Sequence, residues 1–109
     1  MKSFSLQKLN DLELWELIEQ QIECGNYVFS EHSRERQKER MISDLQVLAV
    51  LQNQFGCKRY RNKRKDRYDD QWENWVYCIE GCTSDDKKMR IILTFTEEMM
   101  PIITVMWVK

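Results

Sequence analysis

Residues 90–108, RIILTFTEEMMPIITVMWV, decide the fold class of this chain. Residues 90–96 and 102–108 are rich in β-branched and aromatic side chains, which favour strands, and the five residues between them have the length of a hairpin connection. Residues 72–79, WENWVYCI, have the same strand composition, and the GCTSDD that follows predicts a turn. Because these strands are joined by short links, we expect a 3–4-stranded antiparallel sheet.

Helices are predicted before this sheet. In residues 6–24 the apolar side chains recur every three or four positions, which is typical of one face of an amphipathic helix. Residues 31–40, EHSRERQKER, predict a polar second helix, and residues 43–46, SDLQ, are a capping box that begins a third. We expect the third helix to bury Leu45, Leu48, Leu51 and Phe55. The predicted class is therefore α+β, with two to three N-terminal helices packed on the sheet.

Composition limits the functions that the chain can have. Its 109 residues, 42% of them hydrophobic, suffice for a core, and we expect one domain over residues 1–109. No apolar run reaches the roughly 18–20 residues of a membrane helix, and residues 1–15 lack the apolar core of a signal peptide. We therefore expect a cytoplasmic protein that does not bind membranes.

The cysteines are expected to be free, partly buried thiols, because disulfides are rare in the cytosol. The paired C-x-x-C knuckles of structural zinc sites are absent, so we expect neither a metal nor another cofactor. The four cysteines are Cys24, Cys57, Cys78 and Cys82.

His32, Arg36 and Arg40 are spaced i, i+4, i+8 and form a row along one side of the second predicted helix. Two guanidinium groups can bind a phosphate or a carboxylate through paired hydrogen bonds. An imidazole can donate or accept a proton near neutral pH. The alternative is a solvated helix face with weak ion pairs.

A cationic block lies at residues 58–67, whereas residues 11–23 carry five acidic side chains and no basic one. With two tyrosines interleaved, the block resembles a track that binds the backbone of single-stranded RNA and stacks its bases. The alternative is an edge strand whose charges prevent aggregation. The predicted RNA-binding residues are Arg59, Tyr60, Arg61, Lys63, Arg64, Lys65 and Arg67.

RNA cleavage with the 2′-hydroxyl as nucleophile needs a base, a donor to the leaving 5′-oxygen and cations around the phosphorane, but no metal. This chain has the side chains for that chemistry. Tyr77 and Arg90, on neighbouring predicted strands, can reach one site if they point to the same face of the sheet. The predicted catalytic residues are His32, Arg36, Arg40, Tyr77 and Arg90.

The run FSEHSRERQKERMISDLQVLAVLQN resembles a widespread bacterial domain of unknown function whose signature is H-x-x-x-R-x-x-x-R-x-I-S, followed by a helix and a β-rich half. The resemblance covers residues 27–109 and leaves residues 1–26 as an added helix. The residues that meet the signature are His32, Arg36, Arg40, Ile42 and Ser43.

Such domains resemble the ribonuclease toxins of bacterial toxin–antitoxin modules, the RelE and MqsR types. This resemblance implies a RelE-like fold and a metal-independent endoribonuclease that acts on RNA and is restrained by an antitoxin. In that interpretation His32 is the general acid or base, and Arg36 and Arg40 bind the phosphate.

A second interpretation is a non-catalytic binding protein: an immunity protein, a regulator of a partner protein, or an RNA-binding accessory. The charge asymmetry would then serve docking to an oppositely charged partner, including an acidic, antitoxin-like protein. In a third interpretation, the acidic helix of one copy meets the basic block of another in a homodimer.

Overall fold

The computed structural model describes residues 7–108. Three helices precede most of the strands, as the sequence predicts. A short 3-10 turn, Lys63–Lys65, separates the second strand from the third. In chain order the elements are α1 (Asp11–Glu23), β1 (Tyr27–Phe29), α2 (Glu31–Arg40), α3 (Asp44–Leu51), β2 (Lys58–Arg61), β3 (Arg67–Asp69), β4 (Asn74–Cys82), β5 (Lys88–Leu93) and β6 (Met100–Val108).

Side chains cap the start of each helix. Asn10 and Glu13 form a reciprocal capping box at α1, with hydrogen bonds of 2.8 and 2.9 Å. The capping box that the sequence predicts at α3 is confirmed, since Ser43 and Gln46 exchange the same two bonds. Each capping box satisfies two backbone N–H groups near the start of its helix, which stabilises that end.

The strands form one mixed sheet in the order β1-β6-β5-β4-β2, with β3 paired to a further part of β4. β4 and β6 are each antiparallel to β5, which lies between them, whereas β1 runs parallel to β6. The predicted α+β class is confirmed, and the sheet has six strands instead of three or four. The added strands β1, β2 and β3 have three or four residues each, too few to show an alternating pattern in the sequence.

One face of the sheet packs against the helices. Alternate residues of β4 and β5 point to this helix-covered face, where they meet α1 and α3 in a single apolar cluster. Its fully buried members include Leu14 and Ile18 of α1, Val47, Val50 and Leu51 of α3, and Ile79, Met89 and Ile91 of the sheet. The remaining residues of β4 and β5 point to the opposite side, which we call the open face.

The predicted buried stripe of the third helix is wrong at its two ends. Leu45 and Phe55 are each 78% exposed, whereas Val47 and Val50 are completely buried. α3 ends at Leu51, so Phe55 lies beyond the helix and cannot continue its stripe. In a largely apolar helix such as DLQVLAVL, several faces look equally suitable for burial, and packing against the sheet decides which one is buried.

Candidate functional site

A row of four side chains crosses the open face, one from each of four neighbouring strands. The backbone register places Tyr60 of β2 opposite Glu80 of β4, Glu80 opposite Arg90 of β5, and Arg90 opposite Met106 of β6. Directly paired residues have neighbouring side chains on one face of a sheet. The row therefore brings a phenol, a carboxylate and a guanidinium together.

Glu80 is the centre of this row and is nearly covered, with 3% of its side chain exposed. The Tyr60 hydroxyl donates to Glu80 Oε1 at 2.6 Å, and Arg90 Nε donates to Oε2 at 2.7 Å. Asn62 Nδ2 donates to Oε2 at 3.1 Å. Burial raises the pKa of this carboxyl, but the hydrogen bonds from Tyr60, Arg90 and Asn62 outweigh it and lower the pKa to about 2.

Lys88 adds a second cation to the same cluster. Its Nζ lies 3.5 Å from Glu80 Oε1 and 5.3 Å from the centre of the Tyr60 ring. Two cations and a phenol thus surround one carboxylate on the open face of the sheet. Because two positive charges face one negative charge, the cluster has the charge balance to accept an additional anion such as a phosphate. We call Tyr60, Asn62, Glu80, Lys88 and Arg90 the open-face cluster.

Exposed cations lie along β2 and the turn after it, next to this cluster. Lys58, Arg64 and Lys65 are exposed, and within residues 7–108 none of them forms a side-chain ion pair. Arg67 is also exposed and pairs with Asp69 at 2.9 Å. Cations of this kind are free to bind a polyanion without breaking a contact that holds the fold together.

Two other members of the cationic block form ion pairs within the fold and are not free to bind a ligand. Arg61 is only 2% exposed, and it pairs with Asp66 at 2.9 Å and Asp11 at 2.8 Å. Arg59 pairs with Glu19 at 2.8 Å. The prediction that all seven residues of this segment bind RNA is therefore wrong for the buried Arg61 side chain.

The acidic helix and the basic block meet inside one chain. Asp11 and Glu19 of α1 accept the ion pairs from Arg61 and Arg59, and Lys63 lies 3.4 Å from Asp11. The Arg59 guanidinium also lies 4.3 Å from the centre of the Trp15 ring of α1. These ion pairs attach α1 to the cationic block within one chain. The same charges are therefore not free to form the equivalent contact between two copies.

The row on α2 has a different environment from the one that the sequence predicts. His32 is exposed, and Arg36 pairs with Glu39 at 2.9 Å on the helix surface. Arg40 Nη1 donates to the Val105 carbonyl at 2.7 Å and thereby ties α2 to β6. The row His32, Arg36 and Arg40 thus presents one imidazole and one guanidinium to solvent.

Tyr77 and Arg90 do not share a site. Tyr77 is 1% exposed on the helix-covered face, where its hydroxyl accepts the Leu9 N–H at 2.9 Å. Arg90 pairs in register with Glu80, three residues from Tyr77, and an odd separation in a strand means opposite faces. The expectation that Tyr77 and Arg90 can act together is therefore wrong, because a sheet separates them.

Glu80, Asn62 and Lys88 are functional candidates that the sequence alone does not predict. The sequence contains one indication of Glu80. This residue is the single acid in WVYCIEGC, and Arg90 occupies the matching position of the next strand. Recognising the pair requires the register of β4 on β5, which the sequence does not state. Within residues 7–108 no three metal-binding side chains lie together, and no helix is long and apolar enough to cross a membrane.

The fold and the cluster define an α+β protein with a polar, cation-rich site on the uncovered side of its sheet. The family model described as Domain of unknown function (DUF4258) matches residues 29–107, and the chain belongs to this family. No curated protein and no solved structure matches the chain. The prediction of a domain of unknown function is confirmed. Its bacterial distribution, the H-x-x-x-R-x-x-x-R-x-I-S signature and the likeness to RelE and MqsR toxins stay predictions.

Proposed function

We propose that this protein is a metal-independent endoribonuclease and that the open-face cluster cleaves RNA. One observation carries the proposal: the carboxylate of Glu80 lies within 3.5 Å of a phenol, a guanidinium and an ammonium group. Transesterification by the 2′-hydroxyl needs a base, an acid and cations at the phosphate, and these three groups and the carboxylate supply them. The site is thus on the sheet, and the α2 row of the sequence-based hypothesis is outside it.

The chemistry begins when a phosphate group of the RNA takes Arg90 and Lys88 as its ligands. Removal of Arg90 from Glu80 takes away a hydrogen bond that lowers the pKa of this carboxyl, so its pKa rises towards the ordinary range and it becomes a better base. The cations then face the phosphorane, whose negative charge increases in the transition state.

Protons balance within the cluster. Glu80 takes the proton of the 2′-hydroxyl, whose oxygen forms a new bond to phosphorus. The bond from phosphorus to the 5′-oxygen breaks, and the Tyr60 hydroxyl protonates that leaving oxygen. Glu80 then returns a proton to Tyr60 across their 2.6 Å hydrogen bond, which leaves a 2′,3′-cyclic phosphate and a free 5′-hydroxyl.

The exposed cations Lys58, Arg64 and Lys65 hold the RNA backbone beside the cluster in this proposal. The resemblance to RelE and MqsR proteins extends the proposal to a toxin of a bacterial toxin–antitoxin module. An acidic antitoxin that binds these cations would block the RNA from reaching the site. Expression without an antitoxin would then arrest growth.

A non-catalytic RNA-binding protein is the second candidate, and the state of Glu80 favours it. A carboxylate that is nearly covered and has a pKa of about 2 is a weak base until Arg90 leaves it. If Arg90 stays in place, the face binds phosphate through Lys88 and the surrounding cations and cuts nothing.

The test is cleavage of a single-stranded RNA by the purified chain in the presence of a chelator. We expect fragments ending in a 2′,3′-cyclic phosphate, and no cleavage of the same strand with 2′-deoxyribose. Tyr60→Phe and Glu80→Gln should each lower the rate by roughly 100-fold or more. Lys38→Gln, which changes an exposed cation of α2 outside the cluster and the cationic block, is the matched control.

His32→Ala distinguishes the two placements of the site. We expect it to cleave at the wild-type rate. Loss of cleavage in His32→Ala, with cleavage retained in Glu80→Gln, would indicate that the catalytic site lies on α2. RNA binding without cleavage in any buffer would leave the second candidate as the function.

A further inference from the structure

An apolar groove of about 400 Å³ lies between α3 and the turn after β4, and it shares no residue with the open-face cluster. Leu45, Leu48 and Ala49 of α3 line one wall together with Phe55. Residues 83–85 line the other side. The groove therefore has an apolar wall and a polar rim.

Two exposed apolar side chains stand at this groove. Leu45 and Phe55 are each 78% exposed, which places two large apolar groups in water. Phe55 also has a φ of 54°, a left-handed backbone conformation that bulky residues rarely adopt. Exposure and backbone strain both cost stability, and their combination in one groove is typical of a contact surface.

The exposed side of α3 has the spacing of a helix-packing surface. Leu45, Leu48, Ala49 and Gln52 line the groove at positions i, i+3, i+4 and i+7. Residues at this spacing form one stripe along a helix, and a second helix packs against such a stripe with its own side chains between them. The shape of the groove thus fits a helix better than an extended segment.

Acidic side chains lie beside the groove in two places. A second concavity adjoins it through Gln52 and Gln54, and Glu19 and Glu23 line that concavity. On the side formed by residues 83–85, Asp85 lines the groove, and the exposed Asp86 follows it. Within the described residues 7–108, no cation forms an ion pair with Glu23 or with either aspartate.

Two cations lie near these acids: Arg59 neutralises Glu19, and Lys87 attracts the Asp85 carboxylate. Arg59 pairs with Glu19, but it also stacks on Trp15 and leaves Glu23 unpaired. The Nζ of Lys87 lies 5.5 Å from the centre of the Trp107 ring, so this cation is held on the aromatic face. The charges of Glu23 and Asp86 are therefore available to an oppositely charged partner.

We propose that this groove binds an amphipathic helix of a partner protein that carries apolar side chains at i, i+3 or i+4, and i+7, with lysine or arginine at both ends. The apolar side chains fill the space beside Leu45 and Phe55, and the basic ends meet Glu23 and Asp86. This surface is independent of the open-face cluster, so its occupant does not depend on whether the protein cleaves RNA.

The probes are synthetic helical peptides of about 18 residues with leucine, methionine or phenylalanine at the apolar positions and lysine at both ends. A matched peptide has glutamate at the ends. Fluorescence anisotropy with the full chain should show binding of a lysine-ended peptide and roughly tenfold weaker binding or less of the glutamate-ended one. Binding should also weaken as salt is added.

Variants locate the contact. Leu45→Gln and Phe55→Ser should each weaken binding of the lysine-ended peptide by roughly tenfold or more. Met41→Gln is the matched control, because Met41 is an apolar side chain that is 86% exposed and does not line the groove. Glu23→Gln combined with Asp86→Asn should weaken binding and reduce its dependence on salt.

Three results would overturn the proposal. One is the failure of every lysine-ended peptide to bind, and another is binding that Leu45→Gln and Phe55→Ser leave unchanged. The third is self-association of the wild-type chain in sedimentation that Leu45→Gln removes, since a second copy would then be the occupant. Circular dichroism of each variant shows whether it is folded, so a loss of binding is not a loss of structure.

Discussion

Arg90 of β5 and Glu80 of β4 are direct partners in the antiparallel register, and the Arg90 Nε lies 2.7 Å from Glu80 Oε2. The pair lies on the face of the sheet that the helices leave open, yet the Glu80 side chain is only 3% exposed. A covered carboxylate depends on its partners for stability, and the same partners are the groups that a phosphate would bind. Stability and the proposed RNA binding therefore involve the same side chains.

Arg90→Leu should destabilise the protein by about 2 kcal/mol, because it leaves the charge of Glu80 without its closest cation. Urea unfolding at neutral pH measures the effect. The double variant Arg90→Leu with Glu80→Gln should lose clearly less free energy of unfolding than the sum of the two single losses, since the two residues interact directly. Arg36→Leu is the control: its pair with Glu39 is on the surface, so we expect little change. Additive losses would show that the two side chains do not interact.

The free energy of unfolding should fall at acidic pH, and protonation of Glu80 should account for part of this fall. Its pKa is lowered from 4.5 to about 2, so the ionised carboxyl stabilises the fold above pH 4.5 and loses this contribution as the pH falls towards 2. The lowering corresponds to about 3 kcal/mol. Urea unfolding at steps between pH 5 and pH 2 should show a steeper fall for the wild type than for Glu80→Gln. Equal slopes for the two proteins would contradict the assignment.

The sequence predicts the strongly patterned elements correctly. The composition of β5 and β6 identifies both as strands, and the capping box at Ser43 identifies the start of α3. Those signals are local, so a single chain segment contains them. The parallel pairing of β1 with β6 is not local, because it joins Tyr27 to Met100 across most of the chain. No pattern within a three-residue strand can predict such a partner.

The candidate site was less predictable for the same reason. Arg90 and Tyr60 were singled out from the sequence by residue type, but their meeting at Glu80 depends on the register of three strands. Arg61 and Arg64 look alike in the sequence, yet one is buried against Asp66 and the other is exposed. Charge alone does not distinguish a cation that binds a ligand from one that holds two elements together.

Arg61→Met should destabilise the protein far more than Lys63→Met. The Arg61 substitution leaves the fully covered carboxylate of Asp66 without its 2.9 Å ion pair, for which we expect a loss of about 3 kcal/mol. Lys63 is 60% exposed and lies 3.4 Å from Asp11, so its loss should change the stability little. Thermal or urea unfolding of both variants compares them. Similar losses would mean that the segment acts as one surface and that Arg61 does not hold α1 to β2.

Arg64→Gln and Lys65→Gln should weaken RNA binding without changing stability. Neither side chain forms an ion pair within residues 7–108, so the free energy of unfolding should stay near the wild-type value. If each cation contacts one phosphate, each substitution should lower the slope of log affinity against log salt by about 0.7 for single-stranded RNA. Titrations of a labelled RNA at several salt concentrations measure this slope, with Lys38→Gln on the surface of α2 as the control. An unchanged slope in both variants, or an equal fall in Lys38→Gln, would show that the RNA does not follow the turn between β2 and β3.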